Sequence, residues 1–245
     1  MRNIRLLIEY DGTHYHGWQV QPNAVTVQET IEEKLATMTR ERVHLAASGR
    51  TDAGVHALGQ VANFRTSSSI PLEGFLHGLN SLLPADIVIR SAEEMGEDFH
   101  AQFGAKQKTY RYVILNGPVP SAIHRYYAWH VPNPLDLQAM ERASRYLPGK
   151  QNFASFRAAD ADSSDPVREV FRAEWSVPAP PFLHFTIEAN GFLKHMVRNL
   201  VGTLVEVGKG RISEEDFQHI LAARDRRQAG MTAPPQGLFL VEVRY

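Results

Sequence analysis

The sequence predicts an α+β protein built from two ferredoxin-like halves, and three observations lead to that reading. Short runs of alternating apolar residues are separated by segments with helical spacing. Their order is β-α-β-β-α-β, and that order occurs twice along the 245 residues. Such halves are mostly antiparallel sheets with helices on one face. They are expected at residues 1–105 and 106–245, with the boundary in Gly104–Gln107.

In the first half, Asn3–Tyr10 alternates through Ile4, Leu6, Ile8 and Tyr10 as a strand with one buried face. Thr26-Val27-Gln28-Glu29 has the form of a capping box, and Val27, Ile31, Leu35 and Met38 follow at helical spacing. Strands are expected at Val43–Ala47 and Leu58–Phe64, separated by the glycine-containing run Ser48–His56. Pro71 suits the first helical position before Leu72, Phe75, Leu76 and Leu79, and Ile87–Arg90 closes the half.

In the second half, Lys108–Leu115 is a strand and Asp136–Tyr146 a helix with Leu137, Met140 and Ala143 on one side. Strands follow at Val167–Val177, alternating through Phe171, Ala173 and Trp175, and at Phe182–Asn190. Leu193–Val207 is a long helix whose apolar stripe is Met196, Val197, Leu200, Val201 and Leu204. Ser213 caps a short extra helix, and Phe239–Tyr245 is the last strand of this half. Pro118–Pro120, Ala158–Pro166 and Pro178–Pro181 read as surface loops.

Composition narrows the chemistry. Apolar residues make up 43% and charged residues 22%, which fits a packed globular body and not a disordered chain. With no cysteine, disulfides, thiolate metal sites and cysteine nucleophiles are excluded. No apolar run approaches a membrane span, and Met1 leads into a strand pattern, so a cytoplasmic protein without membrane attachment is the expectation. The net charge of −1 divides unevenly: 8 Lys+Arg against 13 Asp+Glu in residues 1–105, and 18 against 14 in residues 106–245. The second half is therefore the better polyanion surface, although an asymmetry this small also fits ordinary solvated charge.

Several familiar motifs are missing, among them G-x-S-x-G, H-E-x-x-H and G-x-G-x-x-G. Gly202 to Gly208-Lys209 is one residue too long for a phosphate loop, and Gly210 stands where Ser or Thr would hold magnesium. His14 and His16 have no further ligand at metal spacing, so no metal is expected. The informative run is Ser48-Gly49-Arg50-Thr51-Asp52-Ala53-Gly54-Val55-His56-Ala57, a strand end entering a tight turn. Gly49 and Gly54 admit backbone geometries closed to larger residues. The run sets one carboxylate beside one guanidinium, which keeps Asp52 ionised as a nucleophile requires. An Asx-turn with a surface ion pair explains the same residues without chemistry.

Gly49-Arg50-Thr51-Asp52-Ala53-Gly54-Val55-His56-Ala57 resembles the signature of the TruA family of tRNA pseudouridine synthases. The resemblance extends through Tyr10-Asp11-Gly12-Thr13 with Gly17-Trp18-Gln19, Thr26-Val27-Gln28, Lys108-Thr109-Tyr110-Arg111-Tyr112 and Gly191-Phe192-Leu193-Lys194-His195-Met196-Val197-Arg198-Asn199. These blocks run in order to Pro234-Pro235-Gln236-Gly237-Leu238, so the likeness spans essentially the whole chain.

The resemblance implies a pseudouridine synthase-type catalytic fold that isomerises uridine to pseudouridine in the anticodon stem-loop of tRNA, at positions 38, 39 or 40. It implies no cofactor, and a homodimer whose subunits share a cleft. Asp52 matches the family's catalytic aspartate, either adding to the sugar or assisting glycal formation. Tyr110 matches the active-site tyrosine that stacks on the base; a cross-strand packing aromatic is its plainer reading. Arg198 matches the arginine that pairs with the carboxylate, and otherwise reads as a solvated helix charge opposite the apolar stripe, at helical spacing from Lys194 and His195. Arg50 is assigned to RNA phosphate or the flipped base, with a structural ion pair as the alternative. Lys108, Arg111, Lys194 and His195 are the expected RNA-backbone contacts, with Lys106, Lys209 and Arg211 as further basic candidates. A target inside a stem must leave its stack, so base flipping is expected. Two other classes compete. An RRM-like RNA-binding protein shares the element order but would need an RNP1 run, which neither half contains. An N-glycosidase would use Asp52 to release free uracil.

Overall fold

Strand β1 (Arg2–Tyr10) turns Ile4, Leu6, Ile8 and Tyr10 to one face, and all four are buried. The structure, a computed structural model, describes residues 1–159 and 165–245. It comprises two units: Met1–Lys106 with Phe239–Tyr245, and Gln107–Leu238. Both are α+β with mostly antiparallel strands. The loop expected at Ala158–Pro166 includes residues 160–164, which lie outside the described residues.

In the first unit, helix α1 (Val27–Thr39) starts where the sequence predicts: the Thr26 hydroxyl accepts the Glu29 N–H at 3.4 Å. It buries Val27, Ile31 and Leu35. Strand β2 (Ala46–Ala47) is only two residues of the predicted Val43–Ala47, whereas β3 (His56–Thr66) extends beyond its predicted ends. Helix α2 (Leu72–Leu82) buries Phe75 and Leu79, and Pro71 is its N-cap, one position before the expected place. Strand β4 (Ile87–Met95) and β3 flank β1, both antiparallel to it, with Leu6 opposite Ala62 and Ala92.

The second unit opens with β5 (Gln107–Asn116) and β6 (Trp129–Val131), then α3 (Leu137–Ser144), β7 (Gly149–Asn152), β8 (Val167–Ser176), β9 (Phe182–Ala189), α4 (Met196–Gly208) and α5 (Glu214–Ala223). Strands β5, β9, β8 and β7 are antiparallel neighbours in that order, and β6 runs parallel to the end of β5. The sequence does not announce β6 and β7, because three or four residues are too few for an alternation to register. They are strands through pairing alone.

Three expectations fail here for physical reasons. A register shift between Val170 and Arg172 makes Phe171 an extra, bulged residue. The bulge reverses the parity of β8, so Val170 and Trp175 are buried while Phe171 is 47% exposed. Helix α4 begins at Met196, so Lys194 and His195 precede it and are not at helical spacing from Arg198. Nor does α4 carry only a stripe: Asn199, Gly202 and Thr203, off the predicted stripe, are buried as well. A second layer covers them. Asn199 Nδ2 donates to Phe156 O at 2.8 Å, Thr232 Oγ1 donates to Asn199 Oδ1 at 2.6 Å, and Gly230 N donates to Thr203 Oγ1 at 3.0 Å. The polar face of α4 is thus satisfied by protein instead of water.

Strand β10 (Leu238–Arg244) runs parallel to β3, with Phe239 opposite His56 and Leu240 opposite Ala57. The sequence order places this strand with residues 106–245; in the structure Phe239–Tyr245 belong to the first unit. Its bonds explain the assignment: Lys106 N donates to Arg244 O at 2.8 Å, and Tyr245 Oη to Ala101 O at 2.8 Å. With β1 on one edge of β3, β2 and β10 divide the other, which keeps β2 short.

Gly202 tests the packing of α4. A Cβ there would lie 1.7 Å from the carbonyl oxygen of Met231. Helix propensity alone favours Ala over Gly by about 1 kcal/mol, so the expected fall in melting temperature of Gly202→Ala has the opposite sign to propensity. A rise would refute the close packing of residues 230–233 on α4.

Candidate active site

The run Ser48–Val55 joins β2 to β3, and its shape is set by what it leans on. Ser48 Oγ donates to Gln60 Oε1 at 2.7 Å, and Gln60 Nε2 donates to Gly49 O at 2.8 Å, so a buried glutamine of β3 ties down the start of the bend. Thr51 Oγ1 shares a buried hydrogen bond of 2.7 Å with Tyr10 Oη at the end of β1. Burial raises the Tyr10 pKa well above the usual phenol value, against the opposing effect of Thr51, so the phenol stays neutral. Val55 N donates to Asp52 O at 3.1 Å, closing a turn in which Gly54 takes φ +75°.

A second backbone segment supports the outside of this turn. Trp18 N donates to Thr51 O at 3.1 Å and Gly54 N donates to Tyr15 O at 3.3 Å. The approach is close enough to need glycine: a Cβ on Gly12 would lie 2.0 Å from Val55 O, and one on Gly17, at φ +89°, 2.5 Å from Thr51 O. Asp11 caps this segment, accepting from Thr13 N at 3.0 Å and from the Thr13 hydroxyl. His56 lies immediately after the turn, buried and stacked 4.7 Å from Phe239. Its Nδ1 is 3.1 Å from Gly12 N and 3.0 Å from Asp11 Oδ1. Gly12 N–H donates to Nδ1 when the ring proton is on Nε2, and a proton on Nδ1 donates to Asp11 instead. Asp52 is thereby held half-buried at a rigid turn, and Arg50, the third residue of the bend, is exposed.

The other predicted site residues lie in the second unit. Lys108 and Tyr110 share one face of β5, and Arg111 takes the other, where its charge helps lower the pKa of His184, after burial. Tyr110 is buried, with its ring edge-on to Phe192 at 5.0 Å, so the packing role is real. Lys194 is exposed, and its carbonyl accepts Ala158 N at 3.0 Å. His195 is the N-cap of α4 in the left-handed conformation, φ 63°. Arg198 is half-buried, not a solvated charge: its Nε donates to Ala233 O at 2.8 Å, and Ala233 N donates back to Arg198 O at 3.0 Å.

Sequence reasoning missed the supports Tyr10, Gln60, Asp11 and His56. Tyr10, Asp11 and His56 stand inside the motif blocks, which was the available signal. Two surface hollows, of about 450 Å³ beside Gln28, Glu32 and His44 and about 330 Å³ beside His124, Tyr127 and His184, contain none of the predicted site residues. Among the described residues no cluster of His, Cys, Asp or Glu could hold a metal, and no helix is long and apolar enough to cross a membrane.

A family model described as tRNA pseudouridine synthase matches residues 6–104 and 143–245. The chain is 46% identical over 245 residues to tRNA pseudouridine synthase A of Thermoanaerobacter sp. (strain X514), covering 100% of each. It is 48% identical to tRNA pseudouridine synthase A of Acetivibrio thermocellus, again covering 100% of each, and 50% identical to that of Geobacter sp. (strain M21), covering 100% of this chain and 99% of the relative.

One titration follows from this geometry. Burial, assisted by the Arg168 charge, lowers the Lys108 ammonium from 10.5 to about 8. Between about 8 and about 9.5, below the ordinary tyrosine range, the unfolded chain then binds more protons at this group than the folded one, so the Lys108 contribution to folding stability rises with pH across that window. Urea midpoints measured at its two ends are expected to differ for the native chain and to converge for Lys108→Met. An unchanged pH dependence in Lys108→Met would remove Lys108 as the source.

Proposed function

The chain belongs to the tRNA pseudouridine synthase family, and from that premise we propose how it isomerises uridine in tRNA to pseudouridine. The target uridine is flipped from the anticodon stem-loop, at position 38, 39 or 40, because its glycosidic bond is out of reach while it is stacked. Asp52 adds through a carboxylate oxygen to C1′, and the N1–C1′ bond breaks with its electron pair leaving on uracil. The detached base turns, C5 attacks C1′, and the carboxylate is displaced. C5 then loses its hydrogen as a proton and N1 gains one from solvent, so no cofactor is consumed.

The observation that carries this reading is the anchoring of the Asp52 turn on three elements: β1 through Tyr10, β3 through Gln60, and the Gly12–Trp18 segment through close backbone packing. A nucleophile held this way meets its substrate without the cost of ordering a loop. Tyr110 contacts the flipped base, and Arg198 serves as the counter-charge of the Asp52 carboxylate. The Ala233 clamp on Arg198 favours one orientation of its guanidinium. Arg50, Lys108, Lys194 and His195 bind the RNA, with Arg111 tracking the backbone from the other face of β5. The proposed domains follow the two units, Met1–Lys106 with Phe239–Tyr245 bearing the aspartate turn and Gln107–Leu238 bearing the RNA-facing surface. A homodimer is proposed because a single chain of net charge −1 has little field to attract a polyanion, and two basic faces lining one groove supply more. The substrate points to the cytoplasm as its compartment.

The decisive measurement uses tRNA transcript tritiated at uridine C5. Isomerisation releases tritium as water and leaves the strand intact, a glycosidase frees uracil, and a binding protein does neither. Asp52→Asn is expected to abolish release with tRNA affinity largely kept; near-normal turnover would remove Asp52 from the chemistry. Gly12→Ala, which displaces the turn through Val55, is expected to lower kcat about 100-fold or more, the scale of a 1 Å misplacement. Arg198→Ala is expected to lower turnover more than stability, and an equal loss of both would make Arg198 structural.

A further inference from the structure

Strand register brings two cations to one corner of the second unit. Lys108 lies opposite Ala189 on β9, and Ala189 lies opposite Val170 on β8, so Lys108 and Val170 face the same side of the sheet. Arg168, two residues before Val170, and Tyr110, two after Lys108, share that side. It is also the side on which Trp175 Nε1 donates to Ser144 Oγ of α3 at 2.9 Å. The acidic residues Glu169, Glu174 and Glu188 of these strands take the opposite face.

The Arg168 guanidinium is held in place. Its Nη1 donates to Asp165 O at 3.0 Å and to Val167 O at 2.6 Å, and its Nε lies 3.6 Å from where a Cβ on Gly191 would stand. That locates it beside the Gly191–Phe192 segment, whose phenylalanine meets Tyr110 edge-on. Two cations gathered on one sheet face, with burial and the Arg168 charge lowering the Lys108 pKa, are an arrangement that a bound anion stabilises.

We propose that Lys108 and Arg168 together form a seat for a single RNA phosphate, the one flanking the target uridine, beside the Tyr110–Phe192 ring pair that receives its base. The proposal rests on uridine isomerisation in tRNA as the function. A guanidinium fork recognises phosphate oxygens through two parallel hydrogen bonds, and the ammonium adds a point charge that a neutral ligand could not use. Nucleotides present an aromatic base and an anionic phosphate within one unit, which matches rings and cations packed on one sheet face.

The test uses an anticodon stem-loop RNA in unmodified form and with one methylphosphonate, placed 5′ or 3′ of the target uridine. Lys108→Gln and Arg168→Gln are each expected to weaken binding about tenfold, to reduce the salt dependence of binding by about one phosphate contact, and to show the loss in KM. For one of the two methylphosphonates, neutralising the phosphate should cost the native protein a similar factor and the variants nothing further, as a coupled pair requires. Lys108→Arg, which keeps the charge, should recover most of the affinity, and Arg168→Lys, which keeps the charge but loses the fork, should recover the salt slope and only part of the affinity. Losses that multiply at both methylphosphonates, an unchanged salt slope, or a melting temperature that falls without recovery in the charge-keeping variants would each overturn the seat. Absence of tritium release from the native protein would instead overturn the function on which the seat depends.

Discussion

Two backbone segments, Gly12–Trp18 and Thr51–Val55, pack so closely that no side chain fits between them, and the position of Asp52 depends on that contact. Gly12 and Gly17 are needed because carbonyl oxygens occupy the space where a Cβ would stand. Contact of this kind is stable only if every polar group it covers finds a partner, since an unsatisfied buried donor or acceptor costs roughly 1–3 kcal/mol. The Tyr10–Thr51 bond, the two roles of Gln60 and the bonds from Trp18 and Gly54 meet that requirement. The turn is therefore rigid because its polar groups are satisfied on both sides, and a carboxylate mounted on it inherits the rigidity.

The second unit reaches a comparable result by a different route. Helix α4 is buried on both sides, by the apolar stripe on one and by residues 226–233 on the other. Its polar residues Asn199 and Thr203 bind that covering segment, and Gly202 lets the Met231 carbonyl approach. Arg198 is anchored by the same layer through Ala233. A lone arginine on a solvated helix would sample many rotamers; one hydrogen-bonded to a fixed carbonyl loses far fewer when it meets a substrate or a counter-charge.

Most strands and helices were legible in the sequence because their burial is periodic. Ile4, Leu6 and Ile8 announce β1, and Thr26 announces the start of α1 through its side-chain chemistry. The Asp52 turn was legible through its glycines and its adjoining charges. Less visible were the features that depend on a partner: β6 and β7, the brevity of β2, and the place of Phe239–Tyr245 in the first unit. Each follows from which strand edge is available, a fact about neighbours that no local pattern encodes.

The β8 bulge marks the division most sharply. Alternation from Phe171 through Trp175 assigns Arg168 to the outer face, and one extra residue at Phe171 moves it to the side shared by Lys108 and Tyr110. By itself the sequence determined which residue types the chemistry has available, the element order and the bend that carries Asp52, because these follow from local conformational preference and apolar spacing. Tertiary structure alone decided which of those residues share a face and which backbone groups hold them, because strand register and close packing depend on segments far apart in the chain.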